Sequence, residues 1–295
     1  MQKITPFIWF NDQTEEAVQF YTALFKNSQM DRITHLSDDT PGPKGKVMTA
    51  NFRLDNLELM ALNGGPEFTI NPSISFFVYC QTAEEIDALW KALSDGGQVM
   101  MELDRYPFSE KFGWVADRYG VSWQLSLVKL PQKITPFLMF VREQNGRAEE
   151  AIKYYVSLFK NSSIDQIVHY DPAEGSPTGT VQHARFTLNG QEFMAMDGGP
   201  DHAFSFTPAL SFFVNCEDQA EVDYFWEKLS AGGEKGPCGW LTDKFGVSWQ
   251  IVPTLLGDLM SDPDRERANR VTQAMLQMTK LDIAQLQQAY NQQPA

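Results

Sequence analysis

Apolar and polar residues recur along the chain with two periods, and their order predicts strands and helices in a regular succession. Residues 4–10 are almost wholly apolar, which is typical of a buried strand. A helical period follows, and its buried side is formed by Ala17, Val18, Tyr21, Leu24 and Phe25. Alternating segments then predict three strands, at 30–36, 46–54 and 57–63. The start of the chain therefore predicts a βαβββ module.

The same order restarts at residue 74. A strand at 74–80 precedes a second amphipathic helix, which ends at Gly96, and two or three further strands follow. We expect Thr14 to cap the first helix and Thr82 to cap the second, because a threonine hydroxyl can accept a hydrogen bond from a first-turn N–H. Two βαβββ modules thus make up one α+β domain.

The chain contains this domain twice. Three segments of the first copy recur in the second: 3–7 at 133–137, 25–28 at 159–162 and 113–124 at 239–250. The change in offset places ten extra residues in the first copy, around 104–112. We therefore predict tandem domains at 1–129 and 130–256.

The 113–124 segment predicts a β-hairpin whose turn contains Gly120. Because side chains alternate along a strand, Trp123 belongs to one face and Ser122 and Gln124 belong to the other. The first face is expected in the core. The second is expected to line a polar surface.

The βαβββ pattern ends after Val252, and we predict a helical tail at 257–295. Asp262, followed by Pro263, predicts the start of one helix, and a second is predicted to start at Asp282. These helices can pack on the domains, cover a cavity or mediate dimerisation. Packing is the simplest expectation.

The charge balance narrows the choice of partners. A net charge of -14 without a basic cluster repels both nucleic acid and anionic lipid, so neither is expected as a partner. With no apolar run of ~20 residues and no signal-like start, we expect a cytoplasmic protein that does not contact a membrane. The three cysteines lack a Cys-x-x-Cys spacing, which favours neither a disulfide framework nor a zinc site.

Paired βαβββ modules resemble the glyoxalase, or vicinal-oxygen-chelate (VOC), superfamily. The more specific resemblance is to its PhnB-like (demethylubiquinone methyltransferase-like) branch in a tandem two-domain form, and it rests on residues 4–7, 20–21, 25–28, 64–66, 75–78 and 117–124 and their second-copy counterparts. The resemblance implies tandem glyoxalase/bleomycin-resistance-like domains, each of two βαβββ modules forming a cupped incomplete barrel, plus C-terminal helices. It also implies a homodimer, with the two domains of one chain pairing within the chain.

Enzymes of this superfamily bind a divalent metal inside the cup, and the resemblance implies where its ligands fall. The position that is commonly His falls on Thr5 and Thr135, and the position that is commonly Glu falls on Gln124 and Gln250. The remaining positions fall on Ser73 and Ala209, and near Glu58 or Met60 and Glu192 or Met194. Because hydroxyl and amide oxygens are weak substitutes for imidazole and carboxylate, we predict no metal and no other cofactor.

Methyl transfer is not expected despite the label of the branch. Common methyltransferases approach their cofactor through a glycine-rich turn between a strand and a helix, and no Gly-x-Gly-x-x-Gly follows a strand here. Cys238 near a histidine, or the matching Glu58 and Glu192, are more simply explained as structural or solvated groups. The catalytic residues stay unknown, and whether the protein is an enzyme stays uncertain.

The leading hypothesis is a metal-independent protein that binds a small, partly apolar organic molecule in the cup. Its predicted ligand-binding residues are Thr5, Phe7, Trp9, Trp114, Gln124, Thr135, Phe137, Trp240 and Gln250. Two alternatives stay open: a metal-dependent lyase, isomerase or dioxygenase with unrecognised ligands, and a structural or interaction module with filled barrels.

Overall fold

A computed structural model describes residues 2–35, 47–171 and 179–292. The chain divides into two compact units, Pro6–Leu210 and Met1–Thr5 with Ser211–Ala295. The larger unit thus takes residues from both sequence repeats. The domain boundaries at 129/130 and 256/257 stay a prediction of the repeat.

The observed order of elements is the predicted βαβββ order, written four times. The first repeat contains β1 (Ile4–Phe10), α1 (Thr14–Leu24), β2 (Gln29–His35), β3 (Val47–Leu54), β4 (Leu57–Asn63), β5 (Ile74–Cys80), α2 (Ala83–Ser94), β6 (Gln98–Tyr106), β7 (Ser109–Ala116) and β8 (Ser122–Leu127). The second contains β9 (Lys133–Val141), α3 (Ala148–Leu158), β10 (Ser163–His169), β11 (Val181–Leu188), β12 (Gln191–Gly199), β13 (Leu210–Cys216), α4 (Gln219–Ser230), β14 (Glu234–Lys235), β15 (Trp240–Thr242) and β16 (Ser248–Pro253). Three tail helices follow: α5 (Thr254–Met260), α6 (Arg265–Leu276) and α7 (Ile283–Asn291). The α+β fold class and the tandem modules are confirmed.

Eight strands of the larger unit form one mixed sheet, called here the central sheet, in the order β10-β11-β12-β9-β5-β8-β7-β6. Its two halves come from different repeats, because β5 of the first repeat pairs antiparallel with β9 of the second. Ile74 lies opposite Leu138, and Tyr79 lies opposite Lys133. In the same unit, β1 pairs parallel with β4, and β3 and β2 follow.

One face of the central sheet packs against helices and forms the main core. Phe76 and Trp123 are fully buried there, and their ring centroids lie 5.3 Å apart. Phe25, next to α1, adds a ring 4.9 Å from Trp123. The prediction that Trp123 belongs to the core face of the hairpin is therefore confirmed. The opposite face, called here the inner face, carries the candidate site.

The smaller unit contains β14-β15-β16-β13 and the tail. Its N-terminal residues lie along β13, since the Asn215 N–H donates to the Lys3 carbonyl at 3.0 Å. The tail helices bury an apolar cluster of Val252, Leu256, Leu259, Val271, Leu281 and Leu286, and the partly buried Phe213 packs against it. Phe213 and Val252 lie on the β13 and β16 face that corresponds to the inner face of the central sheet. The tail therefore packs on that face within its own unit.

The helix ends test the capping predictions. Thr82 accepts from the Glu85 N–H, and Asp282 accepts from the Gln285 N–H, so both of these starts are confirmed. The prediction for Thr14 was wrong, because Asn63 of β4 supplies the acceptor for the first turn of α1: its Oδ1 accepts from the Thr14 N–H at 2.9 Å.

Helix α6, the first of the two predicted tail helices, also starts later than predicted. Asp264, rather than Asp262, accepts from the N–H groups of Glu266 and Arg267. The Asp262 carboxylate instead accepts from the Asp264 N–H in the preceding turn. The sequence reading missed α5 altogether, since its seven residues continue directly from β16 without a turn residue between them.

Candidate functional site

The hairpin that defines the repeat is built around a buried aspartate. Asp117 accepts hydrogen bonds from the Tyr21 hydroxyl at 2.7 Å and the Trp123 indole N–H at 2.8 Å. It also accepts from the backbone N–H groups of Tyr119 and Val121. Burial raises the pKa of Asp117, and these hydrogen bonds oppose the shift. The aspartate at this repeat position has the same structural role in both copies, because Asp243 likewise accepts a hydrogen bond from the Trp249 indole N–H.

The polar side of the hairpin is paired internally. Gln124 donates from its amide to the Ser75 hydroxyl at 2.8 Å, and Trp114 donates from its indole to the Ser122 hydroxyl at 2.8 Å. Gln124 and Ser75 are both buried. Their hydrogen bond fixes the amide on the inner face, where it can still offer its carbonyl oxygen.

A carboxylate lies at the centre of a second polar group on this face. Glu192 on β12 accepts from the Tyr79 hydroxyl at 3.1 Å and the Thr135 hydroxyl at 3.3 Å. Its other oxygen lies 3.0 Å from the Lys133 ammonium. Burial, followed by the Glu192 charge, raises the pKa of Tyr79, and Arg185 opposes this rise. The Tyr79 hydroxyl therefore stays protonated and acts as a donor.

Two basic side chains of β11 lie beside this group with buried nitrogens unused. Among the described residues, neither the Arg185 Nε nor the His183 Nδ1 has a hydrogen-bond partner. Burial and the Arg185 charge lower the pKa of His183, so its imidazole is neutral at pH 7. The Arg185 guanidinium therefore interacts electrostatically with both His183 and Tyr79.

Aromatic rings occupy the rest of the inner face. Phe77 lies 5.4 Å from Tyr79, 6.3 Å from Phe137 and 6.4 Å from Phe112, measured between ring centroids. Phe77, Tyr79 and Phe137 also pack with Met194 in one apolar cluster. From Phe112 the row continues to Phe108 and Tyr106 in the ten-residue insertion. Apolar rings and a few fixed polar groups are thus neighbours on one face, as in many small-molecule sites.

The structure brings together four of the nine predicted site residues. Trp114, Gln124, Thr135 and Phe137 share the inner face of the central sheet. Phe7 and Trp9 lie on β1, and the Trp9 indole donates to the Gly65 carbonyl at 2.9 Å. Thr5 lies just before them and is buried.

The remaining two predicted residues, Trp240 and Gln250, lie opposite each other on β15 and β16 in the smaller unit. Gln250 donates to the Ser211 hydroxyl at 3.0 Å, which repeats the bond between Gln124 and Ser75. The two copies of the hairpin are therefore built alike. Their surroundings differ, because the tail packs beside the second copy.

Sequence reasoning missed the contributions of β5 and β11. Strict alternation in 75–79 places Ser75, Phe77 and Tyr79 on one face, so this pattern was available to find them. Arg185 has a weaker signal: it stands where the first copy has Asn51. The difference between Arg185 and Asn51 becomes informative only when the strand register shows that Arg185 lies on the inner face.

The metal-ligand positions implied by the superfamily carry mostly neutral side chains. On the inner face these positions carry the Thr135 hydroxyl, the Gln124 amide and the Met194 thioether. Ser73, at a further implied position, is buried just before β5. Glu192 is the anionic group, and Lys133 already pairs with it. Within the described ranges no three His, Cys, Asp or Glu side chains converge. These donors do not fit a divalent catalytic metal.

The thiols are poorly suited to nucleophilic chemistry. Burial raises the pKa of Cys80 and of Cys216 to about 12, and it also raises the pKa of Cys238. A thiol is an effective nucleophile only as the thiolate. No cysteine therefore adds a reactive group to the inner face.

No helix in the described part of the chain has the length and apolar character needed to cross a bilayer.

Comparisons with known proteins assign the chain to a family. The family model for 3-demethylubiquinone-9 3-methyltransferase matches twice, at residues 2–126 and 132–252. The PhnB protein of Bacillus cereus is 44% identical, with 43% of this chain and 100% of that chain covered and a TM-score of 0.42. An uncharacterised protein of Mycobacterium bovis is 25% identical over 122 residues, which are 39% of this chain and 76% of that protein.

A solved structure covers most of the chain. The E144Q mutant of glyoxalase I from Zea mays superimposes with a TM-score of 0.54 over 85% of this chain and 94% of that chain, at 14% identity. This likeness concerns the fold alone. The likeness confirms the glyoxalase-like fold, and the two matches to the family model confirm the resemblance to demethylubiquinone methyltransferase-like proteins. The chain belongs to the 3-demethylubiquinone-9 3-methyltransferase family and contains the family's domain twice, in tandem.

Proposed function

We propose that the protein binds a small, partly apolar organic molecule on the inner face of the central sheet, without the metal that superfamily enzymes use. The observation that supports this most is the composition of the face. An aromatic and thioether cluster around Phe77, Phe137 and Met194 adjoins fixed polar groups from Gln124, Tyr79 and Arg185.

The donors at the metal positions support the second half of the proposal. Hydroxyl, amide and thioether groups stand where imidazole and carboxylate ligands are expected, and Glu192 is engaged by Lys133, Tyr79 and Thr135. A metal-dependent enzyme needs Glu192 released from these partners and two or more further strong ligands.

The metal claim is tested on protein isolated without chelator or affinity tag. We expect metal well below one equivalent and no thermal shift with Zn²⁺, Ni²⁺, Mn²⁺ or Fe²⁺. A ligand that binds only the folded state must raise its stability. Near-stoichiometric metal together with a shift of several degrees refutes metal independence and favours the enzyme alternative.

The binding claim is tested with N-phenyl-1-naphthylamine, a neutral dye whose fluorescence rises in apolar surroundings. We expect saturable binding that Phe77→Leu weakens. Phe213→Leu is the matched control, because Phe213 occupies the same repeat position but packs against the tail helices. Absence of dye binding, or equal effects of the two variants, contradicts the proposed site and favours the interaction module.

A further inference from the structure

We infer that the ligand of the inner face is an aromatic compound with an anionic group, and that Arg185 and His183 bind that group. This inference rests on the proposed function and adds the chemical class of the ligand. Three observations support it: an unneutralised cation, unused buried nitrogens, and the register that places both beside the aromatic cluster.

The charge on the inner face is uneven. Lys133 and Glu192 neutralise each other at 3.0 Å. In the described part of the chain, no carboxylate forms an ion pair with Arg185. The protein has 38 acidic and 24 basic residues, so carboxylates outnumber the cations that they could pair with. A guanidinium left without one on a partly buried face favours an anion from outside the chain.

Two buried nitrogen atoms without hydrogen-bond partners in the described part of the chain also support an anion site at Arg185 and His183. The Arg185 Nε and the His183 Nδ1 are buried and have no partner among the described residues. Leaving such groups unpaired is costly, and a ligand oxygen would satisfy them. The guanidinium is planar and its donors match the two oxygens of a carboxylate or sulfonate.

The strand register sets the distance between the two parts of the site. Phe137 lies opposite Met194, and Met194 lies opposite Arg185, on three adjacent strands. Two interstrand spacings separate Phe137 from Arg185, or about 10 Å between Cα atoms. A two-ring aromatic acid spans this distance, with its rings against Phe137 and Phe77 and its anionic group at Arg185. Thr49 and Asn51 replace His183 and Arg185 in the first copy, so the recognition belongs to one copy.

The test compares 2-naphthoate with 2-naphthamide by isothermal titration of the full-length protein. The two compounds share a ring system and differ in charge. We expect the wild type to prefer the naphthoate. Arg185→Asn, which installs the residue of the first copy, should weaken naphthoate binding about tenfold or more and leave naphthamide binding within about twofold.

Lys160→Gln is the matched control, because it removes one exposed positive charge away from the inner face. It should change neither affinity, and thermal unfolding should show that both variants fold. Equal losses for both compounds in Arg185→Asn, or no preference in the wild type, overturn the anion inference and leave the proposed function standing. Absence of binding by either compound, together with absence of dye binding, overturns both.

Discussion

Replacing Tyr21 by phenylalanine removes one hydroxyl from the buried carboxylate of Asp117 and leaves the ring in place. Asp117 accepts four hydrogen bonds, and the one from Tyr21 is the shortest at 2.7 Å. Tyr21 is fully buried, so no water replaces the lost hydroxyl. A hydrogen bond to a charged group contributes about 1.5–3 kcal/mol, which is the expected loss in the free energy of unfolding. This corresponds to a fall in Tm of about 3–12 °C.

The pH dependence of this loss has a definite sign. The folded-state pKa of Asp117 is raised, and Tyr21 is among the groups that oppose the rise. Tyr21→Phe therefore raises this pKa further. Below it the carboxyl is protonated in both proteins, and the difference between them shrinks. The variant should be most destabilised near neutral pH and less destabilised in acid.

Urea unfolding followed by tryptophan fluorescence, at pH 7.5 and in mild acid, measures both effects. Tyr106→Phe is the matched control, because the Tyr106 hydroxyl donates to the Glu102 carbonyl in an exposed position. Its loss should stay within about 0.5 kcal/mol. An equally small effect of Tyr21→Phe, or an effect that does not diminish in acid, would refute the assignment of Asp117 as the charged centre of the hairpin.

Three further predictions concern other parts of the chain. Leu281→Ala should destabilise the smaller unit by about 2–5 kcal/mol in urea unfolding, because the Leu281 side chain is fully buried in the tail cluster. Leu276→Ala is the control and should change the free energy of unfolding little, because the Leu276 side chain is half-exposed. Gly239→Ala should cost more than Gly190→Ala in the same assay: both have positive φ, but only at Gly239 does an added Cβ meet a backbone oxygen, at 2.7 Å; equal costs contradict the steric reasoning. His183→Gln should reduce the loss of stability as the pH falls through about 6.5. Burial and Arg185 lower the folded-state pKa of His183, so the unfolded wild-type chain takes up a proton that the folded protein does not. Parallel plots of the free energy of unfolding against pH for the two proteins contradict this prediction.

Local sequence determined the elements of this protein. Strand alternation and helical period predicted the βαβββ order, because each pattern depends only on neighbours along the chain. Turn chemistry did the same for the hairpin at 113–124, and the side-chain caps at Thr82 and Asp282 were readable. The repeat and the family followed from the same residues. The caps that failed were those where an acceptor came from a distant strand, as Asn63 does for α1, or from a neighbouring aspartate.

Tertiary structure decided which modules share a sheet and which face stays available for a ligand. Both repeats carry nearly the same strands, so each could pair with several partners of equal local preference, and the pairing of β5 with β9 depends on contacts between residues ~60 positions apart. That pairing brings Gln124, Thr135 and Arg185 onto one inner face. The tail then distinguishes the copies by packing on β13 and β16 of the smaller unit. Burial of apolar surface drives both the pairing of β5 with β9 and the packing of the tail. Because this force is non-directional, the sequence does not specify which apolar surfaces will meet.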